Sequence, residues 1–488
     1  MNLSYLKGNV ISKNNFLIIK TEKSIKYLII FLVVVTNSNF INAQLNIGDP
    51  GVTFDNSKND PAYPFMQEWQ KSGVEGGVPF SSSLPVKLEV NPTDSDGLQS
   101  AIDNLNTNGE LSVILLKNGT YDIDKTIQLK SNIILRGESR DNVKLDVTIR
   151  YQRRRFEHEG AFVLDEVEHV GIENLTMEYI PERPITIYDD RNVDRNRWCG
   201  NRCFGNDPDG LRNMYVSFIM IEKKSKNCWV DSCTLKNSGS NPINVNGRNN
   251  TFRNNFVDAA YNKGGGGAAY YAINGDYNLI VNERVRRIRH FAIQVGAKYN
   301  VVYGCDFEVD INFHNGDDGF NLIENNKVKS EQWRSWGAFA SGGSQFGHKP
   351  PGENNIIFNN EVSGKNNSSR FSSVTKVFVF DQYSNPRELS STPPSGGTFY
   401  PFVLNSNTLG TEDFVKNNEV KMFPNPFISE LNIKNAQQDG LVEIFSVGGK
   451  LLIDKKVTVG ESIQIGKELQ SGFYLLRYNN EIFKIIKK

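Results

Sequence analysis

Apolar and polar positions recur in a loose repeat along the middle of the chain. Each copy has an Asn followed by one or two apolar residues, then an Asn or Cys about five positions on. Copies start at Asn250, Asn278, Asn300, Asn321 and Asn355, which are 28, 22, 21 and 34 residues apart. Roughly 22 residues suit one coil of three short strands, and stacked coils bury aliphatic side chains and align Asn side chains at the bends. The longer spacings predict loops inserted on one side of a coiled stack.

The segment before this repeat predicts a helix followed by short strands. Leu98, Ala101, Ile102 and Leu105 share one face of a helix beginning near Asp96. Short apolar runs follow at 111–116, 127–129 and 132–137, the last ending in Leu-Arg-Gly. This order resembles the opening of pectate-lyase-like right-handed parallel β-helices. The resemblance implies an all-β domain of the polysaccharide lyase or hydrolase type, which we assign to residues 44–385.

The C-terminal part of the chain differs in composition. Residues 386–418 are rich in Ser, Pro, Gly and Asn, which predicts a linker. After the linker, short alternating strands at 8–12-residue spacing predict a small β-sandwich over 419–488. Its motifs are Phe423-Pro-Asn-Pro-Phe427, Val447-Gly-Gly-Lys450 and Ser471-Gly-Phe-Tyr-Leu475. They resemble the C-terminal sorting domain of the type IX (Por) secretion system of Bacteroidota. The resemblance implies the type IX machinery as a partner and a final location on the cell surface or outside the cell.

The N-terminal segment predicts an export signal. Three lysines, at 20, 23 and 26, precede the nine-residue apolar run 27–35, and a small residue, Ala43, follows at the expected cleavage position. The run is shorter than the roughly 20 residues that a spanning helix needs. We therefore expect residues 1–43 to be removed, and we expect no membrane-spanning segment elsewhere.

Charge and cysteine content limit the classes of protein to which the chain could belong. Lys and Arg number 55 and so do Asp and Glu, so the net charge is zero and gives no support to nucleic-acid binding. Five cysteines are too few for a disulfide-framed scaffold. The 30 Phe and 18 Tyr residues are enough for a core. We expect a secreted monomer.

The period-two alternation of two segments predicts a polar patch on the outside of the stack. In 307–314, Phe307, Val309, Ile311 and Phe313 alternate with polar residues, and 290–295 follows the same pattern. The apolar set faces the core, so the other set faces outwards and stacks about 4.8 Å apart between coils. The predicted patch consists of Asn274, His290, Gln294, Glu308, Asp310, Asn312 and His314.

A basic run lies beside this patch and favours an acidic polysaccharide as the substrate. Arg284, Arg286, Arg287 and Arg289 fall within six residues, and guanidinium groups pair well with carboxylate or sulfate. In a lyase, His290 or His314 would remove a proton as the base, and Arg287 or Arg289 would neutralise the uronate carboxylate. Tyr270 or Tyr271 would be the acid. Trp336 and His348, on an inserted loop, are expected to contact substrate.

Three alternatives remain open at this point. In a glycoside hydrolase, Glu308 and Asp310 would be the pair of catalytic carboxylates. Asp317 and Asp318, with these two carboxylates, would suit Ca²⁺ because it prefers hard oxygen ligands. A surface glycan-binding β-helix without activity is the third. The Arg-His run favours β-elimination over hydrolysis.

Overall fold

The computed structural model divides the chain into two units, Met1–Asn405 and Ser406–Lys488. The structure describes residues 46–152, 157–182, 184, 213–263, 267–330, 337–364 and 368–404 of the first unit. In the second it describes 421–423, 427–434, 440–446, 451–458, 463–478 and 481–487. The predicted signal peptide, residues 1–43, and Trp336 lie outside these ranges.

Within the described part of the first unit, three long sheets run along a coiled stack, and all but the last two strands of sheet I are parallel to their neighbours. Sheet I contains Val86–Val90, Ser112–Leu116, Ile133–Gly137, Gly171–Glu173, Trp229–Asp231, Thr251–Arg253, Leu279–Val281, Val301–Tyr303, Leu322–Glu324, Ile356–Phe358, Val377–Val379 and Arg387–Ser390. Sheet II contains Gly119–Ile123, Val143–Val147, Thr176–Tyr179, Thr234–Ser238, Phe256–Ala260, Arg284–Arg286, Asp306–Phe307, Lys327–Lys329 and Glu361–Ser363. Sheet III contains Ile127–Gln128, Glu159–Leu164, Val216–Ile221, Ile243–Val245, Tyr270–Ile273, His290–Gln294, Ile311–His314 and Phe339–Ala340.

Each coil contributes one strand to each sheet in the order I, II, III. The coil at 279–294, for example, places Leu279–Val281 in sheet I, Arg284–Arg286 in sheet II and His290–Gln294 in sheet III. The predicted right-handed parallel β-helix is therefore confirmed. One continuous core of aliphatic and aromatic residues fills the inside of the stack.

The repeated Asn residues form a hydrogen-bonded ladder at one bend. The side-chain nitrogen of Asn278 donates to Asn300 Oδ1 at 3.0 Å, and that of Asn300 donates to Asn321 Oδ1 at 2.9 Å. Asn250 begins this part of the ladder and Asn355 accepts from Asn321. Each amide satisfies buried backbone groups that a bend leaves without sheet partners, which explains why the repeat requires Asn.

A second ladder stands at the next bend and includes Cys and Glu. Asn255 Nδ2 donates to Glu283 Oε1 at 2.9 Å, and the Cys305 amide donates to Asn326 Oδ1 at 2.9 Å. Burial raises the pKa of Glu283 to about 8. The described cysteines Cys228, Cys233 and Cys305 are buried free thiols at these bends.

The predicted helix covers the N-terminal end of the core. It spans Ser95–Asn104, with the Asp94 side chain accepting from the Gly97 amide as the N-cap. Leu98 and Ile102 are fully buried against the first coils. A second, shorter helix spans Met66–Trp69.

The outer face of sheet I is covered by segments from both ends of the first unit. Met66 and Trp69, with Phe399 and Tyr400, pack on sheet I residues such as Leu322. Val52–Phe54 pairs antiparallel with Phe402–Leu404. The predicted linker, 386–418, is thus too long at its start, because residues 386–404 pack on and pair with the β-helix.

The second unit contains two antiparallel sheets among its described residues. One has Lys421–Phe423, Leu431–Lys434 and Ile463–Ile465, and the other has Gly440–Ser446, Leu451–Val457, Gly472–Tyr478 and Glu481–Lys487. Phe427, Val442, Ile444 and Leu476 form its own core. This agrees with the predicted small β-sandwich. Motif residues 424–426 and 447–450 lie outside the described ranges.

Candidate active site on sheet III

The register of sheet III aligns polar side chains from three successive coils. Tyr270 pairs with His290, Ala272 with Ala292, and Gln294 with His314. Phe291 pairs with Ile311, so Asp310 lies beside His290. Because alternate residues face outwards, Tyr270, His290 and Asp310 form one column on the outer face. Gln294 and His314 form another, with Ala272, Ala292 and Asn312 between them.

Tyr271 is on the opposite side of its strand from the polar columns. It is fully buried in the core, with its ring 5.1 Å from that of Phe291 and its hydroxyl donating to Glu283 at 3.3 Å. A direct contact between Tyr271 and a substrate is therefore incompatible with its position. Tyr270, one residue earlier, is the tyrosine on the outer face.

His290 and Asp310 form a buried hydrogen-bonded pair. His290 Nδ1 lies 2.8 and 3.0 Å from the two carboxylate oxygens of Asp310, which is fully buried. Asn312 Nδ2 also donates to Asp310, at 3.2 Å. On the other side of the imidazole ring, Arg289 Nε donates to His290 Nε2 at 3.2 Å. The carboxylate thus orients the ring, with Nδ1 as the donor and Nε2 as the acceptor.

Burial keeps both histidines of the site neutral. Burial lowers the pKa of His290, Asp310 opposes this lowering and Arg289 adds to it. Burial also lowers the pKa of His314 to about 2, and the neighbouring His290, His348 and Arg289 lower it further. A neutral imidazole is the form that can accept a proton.

Tyr270 links the two histidine columns across the small alanines. Its hydroxyl lies 3.4 Å from His314 Nε2, and its ring packs edge-on against the rings of His290 and His314. Gln294 Oε1 lies 3.1 Å from His314 Nδ1. With Gln294 accepting from Nδ1, the His314 Nε2 atom accepts from the tyrosine hydroxyl.

His348 reaches this cluster from the inserted loop. Its ring centroid is 4.5 Å from that of His314, and its Nδ1 lies 3.2 Å from the Gly342 carbonyl oxygen. Tyr383 also donates to the His348 carbonyl oxygen. His348 therefore covers one side of the cluster.

Amides extend the polar surface towards the N-terminal coils. Asn274 Nδ2 donates to Asn244 Oδ1 at 3.0 Å and to Asn246 Oδ1 at 2.9 Å. Sequence reasoning found Asn274 and missed the other two. The alternation in Ile243–Val245 was the available signal, since Asn244 lies between two buried residues there.

The arginine run divides between two sheets. Arg286 and Arg287 both bind Asp258, at 2.9 and 2.6 Å, on the sheet II side. Arg289 contacts the histidine cluster, with its guanidinium carbon 5.8 Å from the centre of the Tyr270 ring.

The two predicted catalytic carboxylates differ in surroundings. Glu308 follows the sheet II strand Asp306–Phe307 and binds Arg284 at 3.4 Å. Asp310 precedes the sheet III strand Ile311–His314 and binds His290. They do not share one strand, because a bend separates the two sheets between Phe307 and Ile311.

The predicted Ca²⁺ site does not fit the residues around Asp317. Its Oδ1 accepts from the Gly319 amide at 2.8 Å and from Asn355 Nδ2 at 2.8 Å, so its neighbours are donors and not further ligands. Asp318 is exposed. Among the described residues, we find no group of three or more His, Cys, Asp or Glu side chains arranged for a metal ion. Asp317 instead anchors the turn to the Asn ladder.

Comparison with known proteins identifies the second unit. Residues 421–488 match the family model described as a secretion system C-terminal sorting domain. The protein is therefore exported through the type IX system to the cell surface or beyond. No curated protein matches the chain. None of the helices in the described ranges has the length and apolar content to span a bilayer.

Solved structures of low similarity include enzymes and an adhesin. An alginate lyase is 16% identical, with a TM-score of 0.31, over 58% of this chain and 39% of its own. An iota-carrageenase complexed to iota-carrageenan fragments is 14% identical, with a TM-score of 0.27, over 53% of this chain and 58% of its own. The Streptococcus pneumoniae surface protein and adhesin PfbA is 12% identical, with a TM-score of 0.27, over 51% of this chain and 84% of its own. The fold assignment rests on the strand ladder itself.

Proposed function

We propose that the protein is a secreted enzyme that cleaves an acidic polysaccharide by β-elimination at the sheet III cluster. The observation that carries the proposal is the buried His290–Asp310 pair with Arg289 on the remaining ring nitrogen. Burying a polar network of this kind costs free energy. The network does not fill the core of the β-helix, because the core lies on the other side of the sheet. A catalytic role accounts for that cost.

Each side chain has a role in this reaction. The Arg289 guanidinium pairs with the uronate carboxylate, which makes the adjacent C5 proton more acidic. His290 Nε2 takes that proton, and Asp310 stabilises the imidazolium that forms. The C5–H and C4–O bonds break and a C4–C5 double bond forms. The Tyr270 hydroxyl, which His314 orients, gives its proton to the leaving glycosidic oxygen.

The proposal requires a local rearrangement on substrate binding. His290 is 3% exposed and Tyr270 is 1% exposed, whereas Arg289 and His348 are partly exposed. Arg289 moves from His290 Nε2 to the substrate carboxylate, and Nε2 then accepts the C5 proton. His348, on the loop that follows Phe339–Ala340, moves with it to admit the chain.

Hydrolysis by Glu308 and Asp310 has less support. Glu308 accepts from Arg284, and Asp310 accepts from His290 and Asn312. Two hydrolytic carboxylates must both face the scissile bond, one of them protonated. A catalytically silent glycan-binding surface would not need the His290–Asp310 pair.

The test is a substrate panel with product analysis. Mature protein is incubated with alginate, pectate, ulvan, carrageenans and chondroitin, and both ultraviolet absorbance of unsaturated ends and new reducing ends are measured. We expect both to rise for at least one uronate polymer, to be lost in His290→Gln and to be retained in Glu308→Gln. Reducing ends alone would support the hydrolase, and the absence of both across the panel would refute enzymatic cleavage.

A further inference from the structure

A cavity of about 540 Å³ lies at the ends of the two central site strands. It begins one residue after Gln294 and one residue after His314, at the turn from sheet III towards sheet I. Its lining includes Val295, Asn315, Gly316, Asp318, Lys349 and Pro350. At about 3.3 Å per residue, the next sugar of a chain bound at His314 would reach it.

One residue of the cavity carries a conformational cost, and a glycine beside it leaves space next to Lys349. Val295 has φ of +54°, a left-handed conformation that β-branched residues rarely adopt, and is 58% exposed. Gly316 has φ of +68°, and a side-chain carbon there would come within 2.7 Å of Lys349 Cβ. Asn315 has the same left-handed conformation at this bend in the next coil, so the bend sets the backbone there. What points to a ligand is the exposed apolar side chain of Val295 at a bend position that suits Asn.

The lining combines an apolar surface with charges of both signs. Val295 and Pro350 offer aliphatic surface, while Asp318 and Lys349 are exposed. Neither the Asp318 carboxylate nor the Lys349 ammonium forms an ion pair within the described residues. A carboxylate and an ammonium together match the acceptors and donors of hydroxyl groups, whereas Asp318 would repel a second anionic group.

We propose that this cavity is a subsite for an uncharged sugar next to the uronate. This inference rests on the proposed function, because that function places the uronate at His290. Val295 and Pro350 contact the apolar face of the ring, and Asp318 and Lys349 bind its hydroxyl groups. The substrate is then a heteropolysaccharide in which uronate and neutral sugars alternate, and homopolyuronates are poorer substrates.

Binding and turnover are measured separately to test this. Titration calorimetry of the His290→Gln protein compares a polymer that alternates uronate with an uncharged sugar, such as unsulfated chondroitin, with a homopolyuronate such as pectate. KM and kcat are measured in the otherwise native protein. In each background Lys349→Met and Asp318→Asn are compared with Lys327→Met, an exposed sheet II lysine that serves as the matched control. We expect both cavity variants to bind the alternating polymer about tenfold more weakly, with KM raised and kcat retained. Binding of the homopolyuronate should change by less than about twofold, and Lys327→Met should behave as the parent.

The outcomes separate this inference from the proposed function. Unchanged binding of the alternating polymer in both cavity variants would overturn the subsite. Equal loss of homopolyuronate binding in Lys349→Met would overturn it too, because Lys349 would then bind an anion. If cleavage depends on His290 while either of these results is found, only the subsite fails. If nothing is cleaved while alternating-polymer binding depends on Lys349 and Asp318, the subsite stands and the elimination reaction fails.

Discussion

Replacing Asp310 by Asn tests the proposed base most directly. The substitution keeps the shape of the side chain but removes the negative charge that lies 2.8 Å from His290 Nδ1. For charges about 4 Å apart at an effective dielectric constant of about 20, the lost stabilisation of the imidazolium is about 4 kcal/mol. That corresponds to a decrease in kcat of about 10³-fold.

The pH profile gives a second readout that a merely structural role would not change. The base must be neutral, so kcat/KM rises with pH through the pKa of His290 in the free enzyme. Asp310 raises that pKa, whereas burial lowers it. In Asp310→Asn the acidic limb should therefore move to lower pH. Asp258→Asn, which removes a carboxylate from the sheet II arginines, is the control and should retain kcat within about threefold. A kcat for Asp310→Asn within about threefold of native, with an unmoved limb, would refute the reasoning.

Three further predictions concern stability. Burial raises the pKa of Glu283 to about 8, so the contribution of this group to stability is present in full below about pH 4.5 and falls by a few kcal/mol as pH rises to about 8. Glu283→Gln should abolish most of this decrease in urea titrations across that range. Asn300→Ala leaves the Asn278 amide and the Gly275 carbonyl without side-chain partners and should lower the free energy of unfolding by about 3–5 kcal/mol. A protein ending at Leu404 should melt at the same temperature as the first unit of the full chain. A protein ending at Asn385 loses the buried Phe399 and Tyr400, and its free energy of unfolding should fall by about 3–6 kcal/mol.

Each of these predictions has an outcome that contradicts it. For Glu283, an unchanged pH dependence in the Gln variant would assign the decrease to other groups. For Asn300, the control is Asn282→Ala, because Asn282 is exposed and lies outside the ladder. An equal loss of unfolding free energy in the two variants would show that the ladder does not stabilise the protein. For the truncations, identical melting curves would show that the segment 386–404 contributes nothing.

The repeat in the sequence was sufficient to predict the β-helix and the amide ladder. The Asn side chains satisfy backbone groups at the same bend of successive coils, so the physical requirement recurs at a fixed place in the repeat. Leu98 and Ile102 were likewise predictable, because a helix that caps the core must bury one face. Residues 386–404 were misjudged since Ser, Pro and Gly are typical of linkers, and Phe399 and Tyr400 gave only a weak local signal.

The candidate site was predictable in composition but not in pairing. Alternation along 307–313 correctly assigned the apolar residues to the core. It could not locate the bend after Phe307, which separates Glu308 from Asp310. Tyr270 and Tyr271 were indistinguishable from local sequence, because a shift of one residue exchanges the faces of a strand. The pairing of Arg286 and Arg287 with Asp258 depends on the register between coils, which the alternation within one strand does not specify.

The reversal of direction at the end of sheet I has a consequence for the protein outside the cell. A stack of similar coils is a template on which another parallel coil, from a second molecule, could add and extend the sheet. Val377–Val379 and Arg387–Ser390 run antiparallel to Ile356–Phe358, and the last strand carries the exposed charges of Arg387 and Glu388. An incoming parallel coil therefore meets the wrong hydrogen-bond spacing and a charged edge. This end of sheet I is therefore a poor template for the addition of a parallel coil from a second molecule.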